Sequence, residues 1–137
     1  MKFTDLPLKP EILHALDEMG YEELTPIQEK SIPPILENRD LVGIAETGSG
    51  KTGACGIPLV QQVDPELNEV QALILVPTRE LAQQYVAEIA SIAKYTDVAP
   101  FAMFGGFDMG IQRAKMRHRV HILVATPGRL IDYLWNN

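Results

Sequence analysis

Two glycines one residue apart, followed at once by a lysine and a threonine, restrict this chain more than any other stretch: Ala45-Glu46-Thr47-Gly48-Ser49-Gly50-Lys51-Thr52. Gly48 and Gly50 let the backbone bend tightly and approach a ligand closely. Successive N–H groups in such a bend converge on an anion. Lys51 adds a fixed positive charge, and the Thr52 hydroxyl suits a Mg²⁺ ion. The spacing is that of a phosphate-binding P-loop, with Ala45 where Gly is commoner. A working P-loop needs a strand before it and a helix after it. Residues 40–45 are short, mostly apolar and end in small side chains, which predicts a buried parallel strand. Residues 50–63 carry Ile57, Leu59, Val60 and Val63 on one helical face, with Pro58 expected to bend or shorten the helix. A helix starting at Gly50 turns its positive end to the same phosphates. The competing reading, a surface turn that happens to hold a lysine, accounts for neither flank.

The rest of the chain repeats the alternation. Residues 71–76 read as a second buried strand, and Pro77-Thr78-Arg79-Glu80-Leu81-Ala82 turns it into a helix reaching about Tyr95, with Leu81, Tyr85, Ile89 and Ile92 inward. Residues 98–104 form a third strand ended by Gly105-Gly106. A short helix over 109–116 leads to a fourth strand at 120–125, and Thr126-Pro127-Gly128-Arg129 opens a last helix in which Tyr133 and Trp135 are expected to cap the core. This order predicts an α/β fold, a parallel sheet with helices on both faces. Ligands of such sheets bind at the carboxyl ends of the strands, where loops 45–52, 77–80, 104–106 and 126–129 are expected to fall. Upstream, residues 9–19 read as a helix with Pro10 in its first turn and Gly20 as its stop. Thr25 and Gln28 form a capping box around Pro26, and the helix is expected to stop near Pro33-Pro34 or Leu36. From pattern alone, Gln28 reads as a capping residue ahead of a ligand contact.

At 137 residues the chain is one domain at most. No apolar run approaches a membrane span, and Asp5, Lys9, Glu11 and Asp17 interrupt the first twenty residues, so the expected compartment is the cytoplasm. The single cysteine, Cys55, reads as a small core residue. His14, His118 and His121 lack the spacing of a metal site. The net charge of −6 argues mildly against a nucleic-acid binder, but its distribution is uneven. Residues 1–40 hold nine acidic and four basic side chains, whereas 108–129 hold one acidic and five basic. Arg113, Lys115, Arg117 and Arg119 therefore read equally as a basic patch or as a solvated helix face.

Taken together these motifs resemble, in order and over almost the whole chain, the first RecA-like domain of DEAD-box RNA helicases. Residues 20–28 resemble the Q motif, which recognises adenine; 45–52 resemble motif I; 77–82 resemble motif Ia; Gly105-Gly106 resembles the glycine doublet; and 126–129 resemble motif Ib. Phe3 stands seventeen residues before Gly20, where the family has an isolated aromatic near the adenine. The resemblance implies a P-loop NTPase domain over 1–137, incomplete, with the Q-motif region at 3–28. It implies ATP and Mg²⁺ bound by Phe3, Tyr21, Thr25, Gln28, Ala45, Glu46, Thr47, Gly48, Ser49, Gly50, Lys51 and Thr52. Lys51 and Thr52 then have catalytic roles, and Thr52 is the metal ligand. It further implies single-stranded RNA gripped through its backbone by Pro77, Thr78, Arg79, Gly105, Gly106, Thr126, Pro127, Gly128 and Arg129. These residue types suit phosphate contacts, which carry no base sequence; the plain alternative for Arg79 is an ion pair with Glu80 or another carboxylate. Leu24 stands where the family usually has Pro, and Glu46 where Gln is common.

The sequence contains no Asp-Glu-Ala-Asp motif, no Ser-Ala-Thr motif and no second RecA-like domain. In the family those segments supply the metal-anchoring and water-activating carboxylates and the arginine finger. The expectation is thus the N-terminal part of an ATP-dependent RNA helicase, inactive by itself. Two rivals stand beside it: a catalytically silent fragment that binds nucleotide or a partner, and another P-loop NTPase acting on DNA, which would ordinarily lack the Q motif.

Overall fold

The computed structural model describes residues 1–106 and 108–135. A turn of 3-10 helix at Phe3–Asp5 is followed by α1 (Pro10–Glu18), α2 (Pro26–Leu36), α3 (Lys51–Gln62), β1 (Ala72–Leu75), α4 (Arg79–Ile92), β2 (Pro100–Met103), α5 (Met109–Lys115), β3 (Ile122–Ala125) and α6 (Pro127–Trp135). The chain forms two compact units: Met1–Gln62 with Glu88–Asp97, and Val63–Ala87 with Val98–Asn137.

The first unit is helical. Ile12, Ala15 and Leu16 are buried on α1, Ile32 on α2, and Ile57 and Val60 on α3. The end of α4 adds Ile89 and Ile92, both fully buried. Gly56 lets this packing close, since a Cβ there would lie 3.0 Å from Ile89 Cγ1. The amino-terminal arm is tied down by a bridge between Lys2 and Glu23, with the Phe3 N–H donating to the Glu22 carbonyl at 3.1 Å. α2 runs through Pro33 and Pro34 to Leu36, and α3 runs through Pro58 to Gln62. Pro58 therefore neither ends nor shortens α3: burial of Pro58 itself with Ile57 and Val60 outweighs the backbone hydrogen bond it removes. Cys55 is half-buried, and burial pushes its thiol up, away from a reactive thiolate.

The second unit holds a parallel sheet in the order β1-β3-β2. Ile74, Val124 and Ala102 lie in one row of the register, and Leu75, Ala125 and Met103 in the next. The central strand, β3, is buried on both faces. Met103, Leu123 and Ala125 make a core against which Phe101, Met116, Leu130 and Tyr133 pack. Tyr133 thus caps the core as expected, whereas Trp135 is 83% exposed.

Residues 40–45, expected as a buried strand, form none: Val42 and Ile44 are 92% and 93% exposed. A strand exists only through its ladder, and no described residue pairs with this one. The sheet therefore has three strands where four were expected. α4 also stops at Ile92, short of Tyr95. The α/β class itself, a parallel sheet with helices around it, is as expected.

Candidate functional site

In the first unit the site starts from a cap. The Gln28 N–H faces the Thr25 hydroxyl at 3.5 Å, and the Thr25 N–H donates to Gln28 Oε1 at 3.0 Å, completing the capping box of α2. The same Gln28 side chain then does something a cap does not require. Its Nε2 donates to the Gly50 carbonyl at 3.2 Å. The residue is 3% exposed. A primary amide has two N–H donors and two acceptor lone pairs, so one of each remains after these contacts.

Gly50 (φ +94°) and Gly48 (φ +81°) hold left-handed backbone that other residues rarely adopt. A Cβ on Gly50 would lie 2.6 Å from Thr25 Oγ1 and 2.7 Å from Gln28 Nε2. One on Gly53 would lie 2.8 Å from the same nitrogen. Gly53 is where α3 makes room for Gln28. The Ser49 N–H closes the turn on the Glu46 carbonyl at 3.2 Å. Lys51 and Thr52 are the first residues of α3; Lys51 is exposed and has no ion-pair partner among the described residues. Ala45 is half-buried, and Glu46 and Thr47 are exposed.

A cavity of 480 Å³ is lined by Phe3, Gly20, Tyr21, Thr25, Gln28 and Gly50, among others. Phe3 and Tyr21 stack with ring centroids 6.1 Å apart. Phe3 is 3% exposed, so it supports Tyr21 from beneath. The Tyr21 hydroxyl donates to Glu88, a partner with no signal in the sequence because it lies 67 residues away. The residues fit a nucleotide polyphosphate: two left-handed glycines, an exposed lysine at a helix start, and a buried Ser49 hydroxyl with no partner among the described residues. Among the described residues, no group of three His, Cys, Asp or Glu side chains is placed to hold a metal.

In the second unit the parallel register sends the segments after β1, β2 and β3 out from the same, carboxyl, edge of the sheet. Those segments carry every residue expected to touch RNA. Backbone hydrogen bonds continue the ladder beyond the strands, with the Val76 N–H on the Ala125 carbonyl and the Thr126 N–H on the Met103 carbonyl, each at 3.0 Å. Thr78 Oγ1 accepts from the Leu81 N–H at 3.2 Å and keeps its own proton free to donate. Pro77, Gly105, Gly106, Pro127 and Gly128 are exposed. The Arg79 guanidinium lies 5.9 Å from the Phe104 ring centroid, within cation–π range. It also meets Glu80 at 4.0 Å, but both side chains are more than half exposed and such a pair contributes little. Arg129 Nη1 donates to Gln112 Oε1 at 3.3 Å, and Gln112 Nε2 donates to the Phe104 carbonyl at 3.1 Å. Gln112 is 1% exposed and was not legible in the sequence as a site residue. His121 is fully buried, its Nδ1 accepting from the Ala99 N–H at 2.9 Å, a structural role.

Comparison with known proteins agrees with this fold. The family model for the DEAD/DEAH box helicases matches residues 25–137. The chain is 44% identical over 133 residues to the ATP-dependent RNA helicase CshA of Listeria monocytogenes, covering 97% of this chain and 26% of that protein. It is 47% identical over 133 residues to the ATP-dependent RNA helicase DeaD of Escherichia coli, covering 96% of this chain and 21% of that protein. The crystal structure of a DEAD box protein from the hyperthermophile Methanococcus jannaschii superimposes with a TM-score of 0.93 at 39% identity, over 99% of this chain and 37% of that one. The chain belongs to the DEAD/DEAH box helicase family. It spans about a quarter of the length of the curated relatives it matches. No helix among the described residues is long and apolar enough to cross a membrane.

Tyr21 gives this site a measurable pH signature. Burial, and then the Glu88 carboxylate, push its hydroxyl up to about 12 from an ordinary 10.0. Between those values the unfolded chain has lost the proton and the folded chain keeps it. The stabilisation is full below pH 10 and is lost as the pH rises to 12. The parent should therefore lose unfolding free energy more steeply than Tyr21→Phe over that window. Parallel curves in denaturant titrations would show that Tyr21 is not held this way.

Proposed function

We propose that this chain is the nucleotide- and RNA-binding N-terminal part of an ATP-dependent RNA helicase that works in the cytoplasm, where both ligands are found, and that pairs with a second RecA-like domain. The observation that carries the reading is the contact of Gln28 with Gly50: the expected adenine reader and the expected phosphate loop line one cavity. A P-loop NTPase without a Q motif has no reason to build that contact. Support also comes from relatives at 44% and 47% identity named ATP-dependent RNA helicases.

On this reading the remaining N–H and lone pair of Gln28 pair with adenine N7 and N6. Tyr21, propped by Phe3, offers its ring face to the base. Backbone N–H groups of 48–50, the start of α3 and Lys51 hold the phosphates, and the Thr52 hydroxyl would hold Mg²⁺. A bound Mg²⁺ would supply positive charge to offset the negative charge on the phosphate oxygens. Arg79 and Arg129 pair with RNA phosphates, and the glycines at 105, 106 and 128 let the strand approach the backbone. Replacing either arginine by Ala in the full-length protein should weaken single-stranded RNA binding alike for all base sequences. The salt dependence should fall by about 0.7 in log–log slope for each charge removed. A loss confined to particular sequences would contradict backbone recognition.

Phosphoryl transfer also needs a positioned water and an arginine finger, the latter worth on the order of 10³–10⁵ in rate in related enzymes. Residues 1–137 contain no Asp-Glu-Ala-Asp motif. The chain alone therefore binds nucleotide without turning it over. Phosphate release from the purified chain, with and without RNA, should match a Lys51→Ala control. RNA-stimulated turnover that disappears in the control would overturn this.

A further inference from the structure

Three segments leave the carboxyl edge of the sheet in the second unit, and one buried side chain joins two of them. Gln112, on α5, is 1% exposed. Its Nε2 donates to the Phe104 carbonyl, the residue before Gly105-Gly106, at 3.1 Å. Its Oε1 accepts from Arg129 Nη1, on the first turn of α6, at 3.3 Å. The Phe104 ring in turn lies under the Arg79 guanidinium, 5.9 Å from centroid to carbon. A Cβ on Gly106 would stand 3.3 Å from Arg79 Nη1, so the glycine segment and Arg79 are close neighbours.

We infer that Gln112 is a positioning residue for RNA: its amide fixes the Arg129 guanidinium relative to the glycine segment, so that the arginine meets a phosphate without first losing rotamer freedom. The inference rests on the backbone-binding reading above. An arginine side chain carries substantial rotamer entropy, and a partner that holds it in place before binding reduces what is lost on contact. Gln suits the task chemically. Its neutral oxygen holds the guanidinium without cancelling its charge, which a carboxylate at the same place would do. Its N–H satisfies a carbonyl at the root of the glycine segment. Methionine has nearly the same volume and neither polar contact.

The test uses the full-length protein and a fluorescein-labelled oligouridine, titrated by anisotropy at several salt concentrations. Gln112→Met should lose affinity about tenfold, as a charged hydrogen-bonding group is displaced, and reduce the log–log salt slope by about 0.7. Arg129→Ala should do the same, and the double variant should be no weaker than Arg129→Ala alone, because the two residues act as one unit. A purely structural role for Gln112 would lower the unfolding midpoint, leave the slope at the parental value and add to the loss in Arg129→Ala; that result overturns the inference. An Arg129→Ala variant that binds like the parent overturns the RNA reading and this inference together, whereas a loss there that Gln112→Met does not reproduce overturns this inference alone. Should Gln112→Met fail to fold, Gln112→Glu decides. Its carboxylate keeps the acceptor for Arg129 but neutralises the guanidinium, so the slope should again fall by about 0.7, and a parental slope overturns the inference.

Discussion

One buried amide joins the start of α2 to the backbone of Gly50, accepting from the Thr25 N–H at 3.0 Å and donating to the Gly50 carbonyl at 3.2 Å. Leaving such a buried group without its partner costs about 1–3 kcal/mol, so the two segments hold one another in place. The candidate phosphate loop depends on this, because the strand expected to anchor it from the other side has no partner among the described residues and does not form. Its restraint comes instead from α3, which begins at Lys51, and from Gln28, for which Gly50 and Gly53 leave space. The cap of one helix thereby sets the shape of a loop twenty-two residues away.

The second unit solves a different problem with sheet register. Three parallel strands in step deliver their following segments to one edge, and backbone hydrogen bonds at Val76 and Thr126 extend the ladder into those segments. The core beneath them, around Met103, Leu123 and Ala125, fixes where each segment starts. Polar side chains then refine the arrangement: Gln112 reaches Phe104 and Arg129, and the Phe104 ring reaches Arg79. Rigid elements hold the segments, while the exposed glycines at 105, 106 and 128 leave their outer faces open.

Features set by local chemistry were legible in the sequence. The Thr25 and Gln28 capping box, the left-handed glycines at 48 and 50, and the alternation of apolar strands with helices all follow from short-range patterns. What depends on a distant partner was not. The apolar run at 40–45 has the composition of a strand, yet pairing decides whether a strand exists. Pro58 is a breaker by local rule, yet α3 continues through it to Gln62, with Gly56, Ile57, Pro58 and Val60 buried. Glu88, which holds Tyr21, and Gln112, which holds Arg129, look in the sequence like ordinary polar positions on helices. Their roles come from contacts 67 and 17 residues apart.

The joint role proposed for Gln28, holding the loop and reading the base, is tested most directly by the ratio of ATP to GTP affinity in the full-length protein and in Gln28→Glu. The substitution keeps an oxygen for the Thr25 N–H but removes the amide donor needed both at Gly50 and at adenine. The ratio should collapse by about tenfold or more, the discrimination expected of a lost bidentate contact. An unchanged preference for ATP in the variant would contradict it, and would leave Gln28 a helix cap alone.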